Sequence, residues 1–77
     1  MDDDALKHDG LSYENAVVVN SVEAEYDWLE IHYPGFELIE QGVHLHEGKP
    51  YDVVAIFPMD EGEVSIHFDI SAFYKMD

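Results

Sequence analysis

At Pro34-Gly35 the spacing of apolar residues changes period, and no other feature of the chain constrains its fold as tightly. Before the break, Val19, Val22, Tyr26, Leu29 and Tyr33 recur at steps of three and four, the spacing of one helix side, and Trp28 widens that stripe. A helix is therefore expected within Leu11–Tyr33, capped by Ser12 or by Asn20, the latter with Glu23 three residues on in the manner of a capping box. The β-branched run Val17-Val18-Val19 weighs against the earlier start. Proline closes the element, because it pushes Tyr33 toward extended backbone and has no N–H for a helix ladder.

After the break the period is two. Strands are expected at Phe36–His46, Tyr51–Phe57 and Glu63–Ile70, separated by Glu47-Gly48-Lys49-Pro50 and Met59-Asp60-Glu61-Gly62, both short enough for hairpins. In the third, Val64, Ile66, Phe68 and Ile70 alternate with Ser65, His67 and Asp69. The first strand changes phase near Gln41-Gly42, which a bulge at Gly42 reconciles. The expected fold is an α+β domain over residues 11–77, one N-terminal helix packed on a three-stranded antiparallel β-meander, behind a flexible acidic segment at residues 1–10. Ser71–Asp77 is expected to form a short helical turn.

Hairpin lengths place His46 opposite Tyr51, His44 opposite Val53 and Ala55 opposite His67. Val43, Leu45, Val54, Ile56, Val64, Ile66 and Phe68 then face the helix. The other face carries His44, His46, Tyr51, Val53, Ala55, Phe57, Ser65, His67 and Asp69, a mixture too apolar for an ordinary solvated sheet surface. Such a face is a partner site, a homodimer contact, or a surface covered by the chain's own termini.

Composition enters through charge. Eighteen acids oppose Lys7, Lys49 and Lys75, with no arginine, for a formal net charge of −15 in 77 residues. High charge with low hydrophobicity signals disorder, but residues 16–74 are rich in patterned apolar side chains, so a folded domain is expected. Affinity for a phosphate backbone requires many cations, so direct nucleic-acid binding is not expected. No cysteine is present, which excludes disulfides and thiolate metal sites, and no basic, apolar leader or membrane-length apolar run occurs. The expectation is a cytoplasmic protein, away from membranes.

Sites of chemistry are sparse. His44, His46, His67 and Asp69 have ligand-type side chains, but the outer strands of a meander lie about 9.6 Å apart, too far for a tight tetrahedral centre. No metal or other cofactor is expected. Ser65, His67 and Asp69 contain the residue types of a hydrolase triad, yet alternate residues of one strand point side by side rather than chaining nucleophile to base. Carboxylate pairs such as Glu61 and Glu63 arise by chance in a chain this acidic. An enzyme is not expected. The surrounding carboxylates favour imidazolium, so partner binding is expected to vary between about pH 5 and 8.

What remains is the charge itself. Glu23, Asp27 and Glu30 recur at steps of four and three along the helix, with Glu25 beside them, and like charges at that spacing weaken a helix standing alone. Glu37, Glu40, Glu47, Asp60, Glu61 and Glu63 continue the sign around strand ends and turns. A rigid carboxylate surface competes with phosphate for the cationic groove of a nucleic-acid-binding protein. In size, acidity and a helix-backed sheet the chain resembles the DNA-mimic inhibitors, such as the anti-restriction and anti-CRISPR proteins of phages and mobile elements. That resemblance, one of composition and not of motif, implies a basic partner, a nucleic-acid-binding enzyme or complex, and the charge spacing makes the acidic helix face Glu23, Glu25, Asp27 and Glu30 the expected contact. Two other readings fit the sequence: an immunity or antitoxin-type protein with Trp28, Tyr51 and Phe57 as anchors against a basic toxin, and a structural protein that homodimerises through the sheet face.

Overall fold

The computed structural model, which describes residues 8–74, divides the N-terminal stripe in two. Val17–Val18 is a strand, β1, and the helix α1 runs only from Val22 to His32. Consecutive valines lose rotamer freedom in a helix and suit a pleated surface, so this stretch pairs with a strand instead. Neither expected cap is used. Ser21, in extended backbone, caps α1 with its hydroxyl accepting from the Ala24 amide at 3.1 Å. At the other end the Tyr33 amide donates to the Leu29 carbonyl at 2.7 Å, and Gly35 takes φ 78° just beyond Pro34, so the stop falls where the sequence sets it.

The strands β2 (Glu37–His46), β3 (Lys49–Phe57) and β4 (Val64–Asp69) form the antiparallel meander. The expected three-stranded sheet is nevertheless one strand short, because β1 lies parallel to β4 and completes a four-stranded mixed sheet of order β1-β4-β3-β2. The pairings also differ. His44 faces Tyr51, His46 faces Lys49, Val53 faces His67 and Ala55 faces Ser65, each two residues from the expected partner. A two-residue slip keeps every side chain on its own face, so the division into two faces survives. Its cause is the turn: Glu47 and Gly48, at φ 52° and 79°, close a two-residue hairpin that draws Lys49 and Pro50 into β3. The bulge falls between Leu38 and Glu40, leaving Ile39 as the extra residue, and not at Gly42.

The core lies between α1 and the sheet. Leu29 of α1 is fully buried with Val54, Ile56, Ile66 and Phe68, while Val17, Val19 and Ile70 extend the cluster at the β1 side. The Trp28 ring meets Phe68 edge-on at 5.7 Å. Val43 and Leu45, expected under the helix, are 47% and 66% exposed, because β2 is the edge strand farthest from β1 and no buried apolar residue covers that end.

Residues 8–15 wrap the β1/β4 edge of the sheet, with His8 and Asp9 near Trp28 and Tyr33 on the α1 side and Tyr13 on the opposite face. The Gly10 carbonyl accepts from the His67 amide at 2.6 Å and from His67 Nδ1 at 2.8 Å, the Gly10 amide donates to Asn15, and His8 Nδ1 donates to Ala16. His8–Gly10, counted with the flexible head in the sequence reading, is thus bonded to the fold; residues 1–7 and the end of the expected C-terminal turn, 75–77, lie outside the described residues. Gly10 has φ 78°, and a Cβ there would stand 2.7 Å from the Ile66 side chain. Replacing Gly10 with Ala is therefore expected to lower stability by at least about 1 kcal/mol in urea denaturation, combining left-handed strain with a clash. Gly62→Ala, at a position with nothing nearby and no positive φ, is the control expected to change little.

Candidate functional site

Helix α1 sorts its acids by face. Glu23, Asp27 and Glu30 are exposed along one stripe, and among the described residues none of them forms an ion pair. Glu25, expected beside them, is not part of that surface. It is 1% exposed and points at the sheet, since two residues along a helix turn a side chain through about 200°.

Glu25 meets Asp52 of β3, which is 5% exposed. The Asp52 Oδ2 accepts from Gln41 Nε2 at 2.7 Å, and Gln41 Oε1 accepts from the Tyr26 hydroxyl. Both Glu25 oxygens and Asp52 Oδ1 are buried with no conventional donor. Two adjacent ionised carboxylates in such a place would be very costly. Burial first, then hydrogen bonding to Asp52 and the repulsion of its charge, push the Glu25 carboxyl from 4.5 up to about 9. At neutral pH Glu25 is therefore a carboxylic acid that donates to Asp52, and that proton accounts for one Glu25 oxygen and for Asp52 Oδ1, leaving the second Glu25 oxygen without a donor among the described residues.

The His-rich sheet face is largely claimed by the chain itself. Tyr13 stacks on His46 at 4.1 Å and meets Tyr51 and His67 edge-on at 4.9 and 4.6 Å. Tyr51 is buried as a result, and His46 and His67 are half-buried. Covering by the N-terminal segment is thus the structure's answer for this half of the face, since the aromatic rings gain more by stacking together than by facing water. His44, Val53 and Phe57 remain outside the clasp. His44 and Phe57 are exposed, and His44 and Val53 line a shallow cavity of about 360 Å³ between Glu40 and Glu63. Of the triad residue types, Asp69 is engaged elsewhere: burial raises its carboxyl, but the Ser71 hydroxyl and amide and the Lys49 ammonium, at 3.0 Å, outweigh that and hold it below the ordinary range. His67 Nδ1 is held by Gly10, not by Asp69.

One feature was missed by periodicity. Between β1 and α1 lies a cavity of about 440 Å³ lined by Val17, Val19, Trp28, Ile31 and Ala72, with Asp27 on its lip. The signal was present in the sequence as the valine run beside a stripe that contains Trp28, but it becomes legible only when that run is recognised as a strand. The chain matches no family model, no curated protein and no solved structure. No described helix is long and apolar enough to cross a membrane.

The carboxyl pair yields a signed prediction. A carboxyl whose folded pKa lies above its unfolded one contributes its full stability below the unfolded value and loses it as pH rises through the folded value. Stability is expected to fall between pH 4.5 and about 9 on account of Glu25. Glu25→Gln retains a donor without an ionisable proton, so this variant is expected to gain on the wild type as pH rises, by on the order of 2 kcal/mol at neutral pH. Urea denaturation across this range checks it; equal pH slopes for the two proteins would contradict the shared proton.

Proposed function

We propose that the protein is an acidic inhibitor that occupies the cationic surface of a nucleic-acid-binding protein, with Glu23, Asp27 and Glu30 as the principal contacts. The observation that carries this reading is the exposed carboxylate stripe on α1, without an ion pair among the described residues, in a chain of net charge −15. An isolated surface charge costs little, but a run of like charges on one helix face lowers stability and steers cations. Along the helix axis the stripe places charges about 6 and 4.5 Å apart, between one and two phosphate steps of a duplex strand. Seating on a sheet makes the stripe rigid, so little ordering entropy is lost on binding. Glu37, Glu40, Glu47, Asp60, Glu61 and Glu63 are all exposed and extend the negative field.

Since Tyr51 and His67 are packed under Tyr13, the helix face supports the reading better than the His-rich sheet face. The same packing leaves Trp28 and Phe57 as the accessible aromatic candidates for a toxin-binding alternative, Phe57 being exposed and Trp28 opening on the groove.

Inhibition assays with a panel of restriction endonucleases and Cas nucleases test the proposal. Inhibition is expected to compete with duplex DNA, to weaken at least tenfold between about 50 and 500 mM salt, and to disappear in the triple variant Glu23→Lys, Asp27→Lys, Glu30→Lys. Full inhibition by that variant, with the fold intact by circular dichroism, would contradict the assigned face.

A further inference from the structure

The sheet has two outer edges, and the fold protects only one of them. At β1 the edge is two residues long, too short to serve as a template for another strand. At the other end β2 runs for ten residues, and no described strand pairs with its outer side. Its orientation follows from β3. The Ile70 amide donates to the Pro50 carbonyl at 3.3 Å, so Pro50, Asp52, Val54 and Ile56 turn their peptide groups to β4, while Tyr51, Val53 and Ala55 turn theirs to β2. Their partners His44, Gly42 and Glu40 are thereby engaged, and Gln41, Val43 and Leu45 point backbone N–H and C=O groups outward. Proteins blunt such edges with lysine, proline, charge or a bulge. In β2 the bulge and the acids Glu37 and Glu40 lie toward one end and Glu47 stands past the other; from Gln41 to His46 none of these devices is present.

From this edge we infer that β2 pairs antiparallel with β2 of a second copy of the chain, about a two-fold axis through Val43, to give one continuous sheet. The register follows from the outward groups. With Val43 on the axis, Gln41 of each copy lies opposite Leu45 of the other, all three outward-facing residues are used, and about six main-chain hydrogen bonds form. A slip of two residues either way leaves one of the three unpaired. The same register is complementary in charge: Glu40 falls opposite His46 of the other copy with His44 diagonal to it, and the two Glu40 carboxylates are held about 20 Å apart along the strands. The net charge of −15 on each copy opposes self-association, but charges farther apart than the Debye length, about 8 Å at physiological salt, are largely screened. Since α1 sits over β3 and β4, the two helices stand about 19 Å apart, four strand spacings. A cationic strand from another protein is the poorer occupant, because from Gln41 to His46 the edge offers imidazoles and no carboxylate. The axis is perpendicular to the sheet, so both helices lie on one face and the dimer presents two acidic stripes side by side. The inference stands on β2 alone and not on the proposed capture of a basic partner.

Sedimentation velocity on the full chain tests the pairing. Dimerisation is expected to strengthen on the order of tenfold between about 50 and 500 mM salt, as screening relieves the repulsion, which is the reverse of the trend for capture of a cationic protein. Val43→Pro removes an outward N–H without touching the β2–β3 ladder, and Leu45→Lys places a cation at an exposed position of the edge. Both variants are expected to be monomers with unchanged circular dichroism spectra. Ile31→Lys, exposed on α1, is the control expected to dimerise as the wild type does. The chain has no cysteine, so Val43→Cys is expected to be joined to its own copy by a short bismaleimide, whereas Val18→Cys on β1 is not. A wild type that stays monomeric at about 1 mM protein and about 500 mM salt would overturn the inference. So would a dimer that survives both Val43→Pro and Leu45→Lys, or one that Ile31→Lys alone disrupts.

Discussion

Everything distinctive about this surface depends on how α1 is seated. Leu29 is fully buried over Val54, Ile56, Ile66 and Phe68, and Trp28 braces the seat edge-on against Phe68. Burying a leucine of this kind contributes roughly 2–3 kcal/mol, enough to fix the rotation of a helix three turns long. Once that rotation is fixed, the fate of every acid on α1 follows. Glu23, Asp27 and Glu30 turn outward, and Glu25 turns in to Asp52. A different rotation would expose Glu25 and bury one of the others, at a comparable desolvation cost and with no partner waiting on β3.

The chain tolerates its charge by keeping acids apart or neutral wherever they are buried. Asp69 is held by Ser71 and Lys49; Glu25 holds a proton; Asp52 accepts from Gln41 and from that proton. The remaining described acids lie at the surface or partly exposed, where water screens them. The aromatic clasp of Tyr13 on His46, Tyr51 and His67 adds cohesion on the side of the sheet that α1 does not reach. Two faces of one small sheet are thus covered by different means, a helix on one and an aromatic-bearing segment on the other. That division leaves the β1 edge and its groove as the open apolar feature bordered by acid.

The fold class and the two sheet faces were legible in the sequence because both rest on periodicity. A stripe at steps of three and four, a proline stop and a clean alternation at Val64–Ile70 each report a local rule. What was not legible rests on competition between segments. The valine run satisfies helical spacing and strand propensity alike, and only the availability of an unpaired β4 edge decides for β1. The hairpin register turned on Glu47 accepting a positive φ, which its residue type does not announce. Helical spacing sets Glu25 beside the exposed acids; its burial requires Asp52 across the interface, a pairing that no spacing along the chain reveals. The sheet-face candidates separated for a similar reason, since nothing local to Tyr13 signals that it will lie on His46 and Tyr51.

The proposed function rests on the outward half of that sorting: a negative stripe held in place by the helix seat suits a cationic surface. Backbone amide chemical-shift mapping by NMR, with a captured cationic nuclease titrated into labelled protein at low salt, tests this most directly. Perturbations are expected to concentrate at Glu23, Asp27 and Glu30 and to fade as salt is raised. Perturbations confined to His44, Val53 and Phe57 on the opposite sheet face, with α1 unmoved, would contradict it.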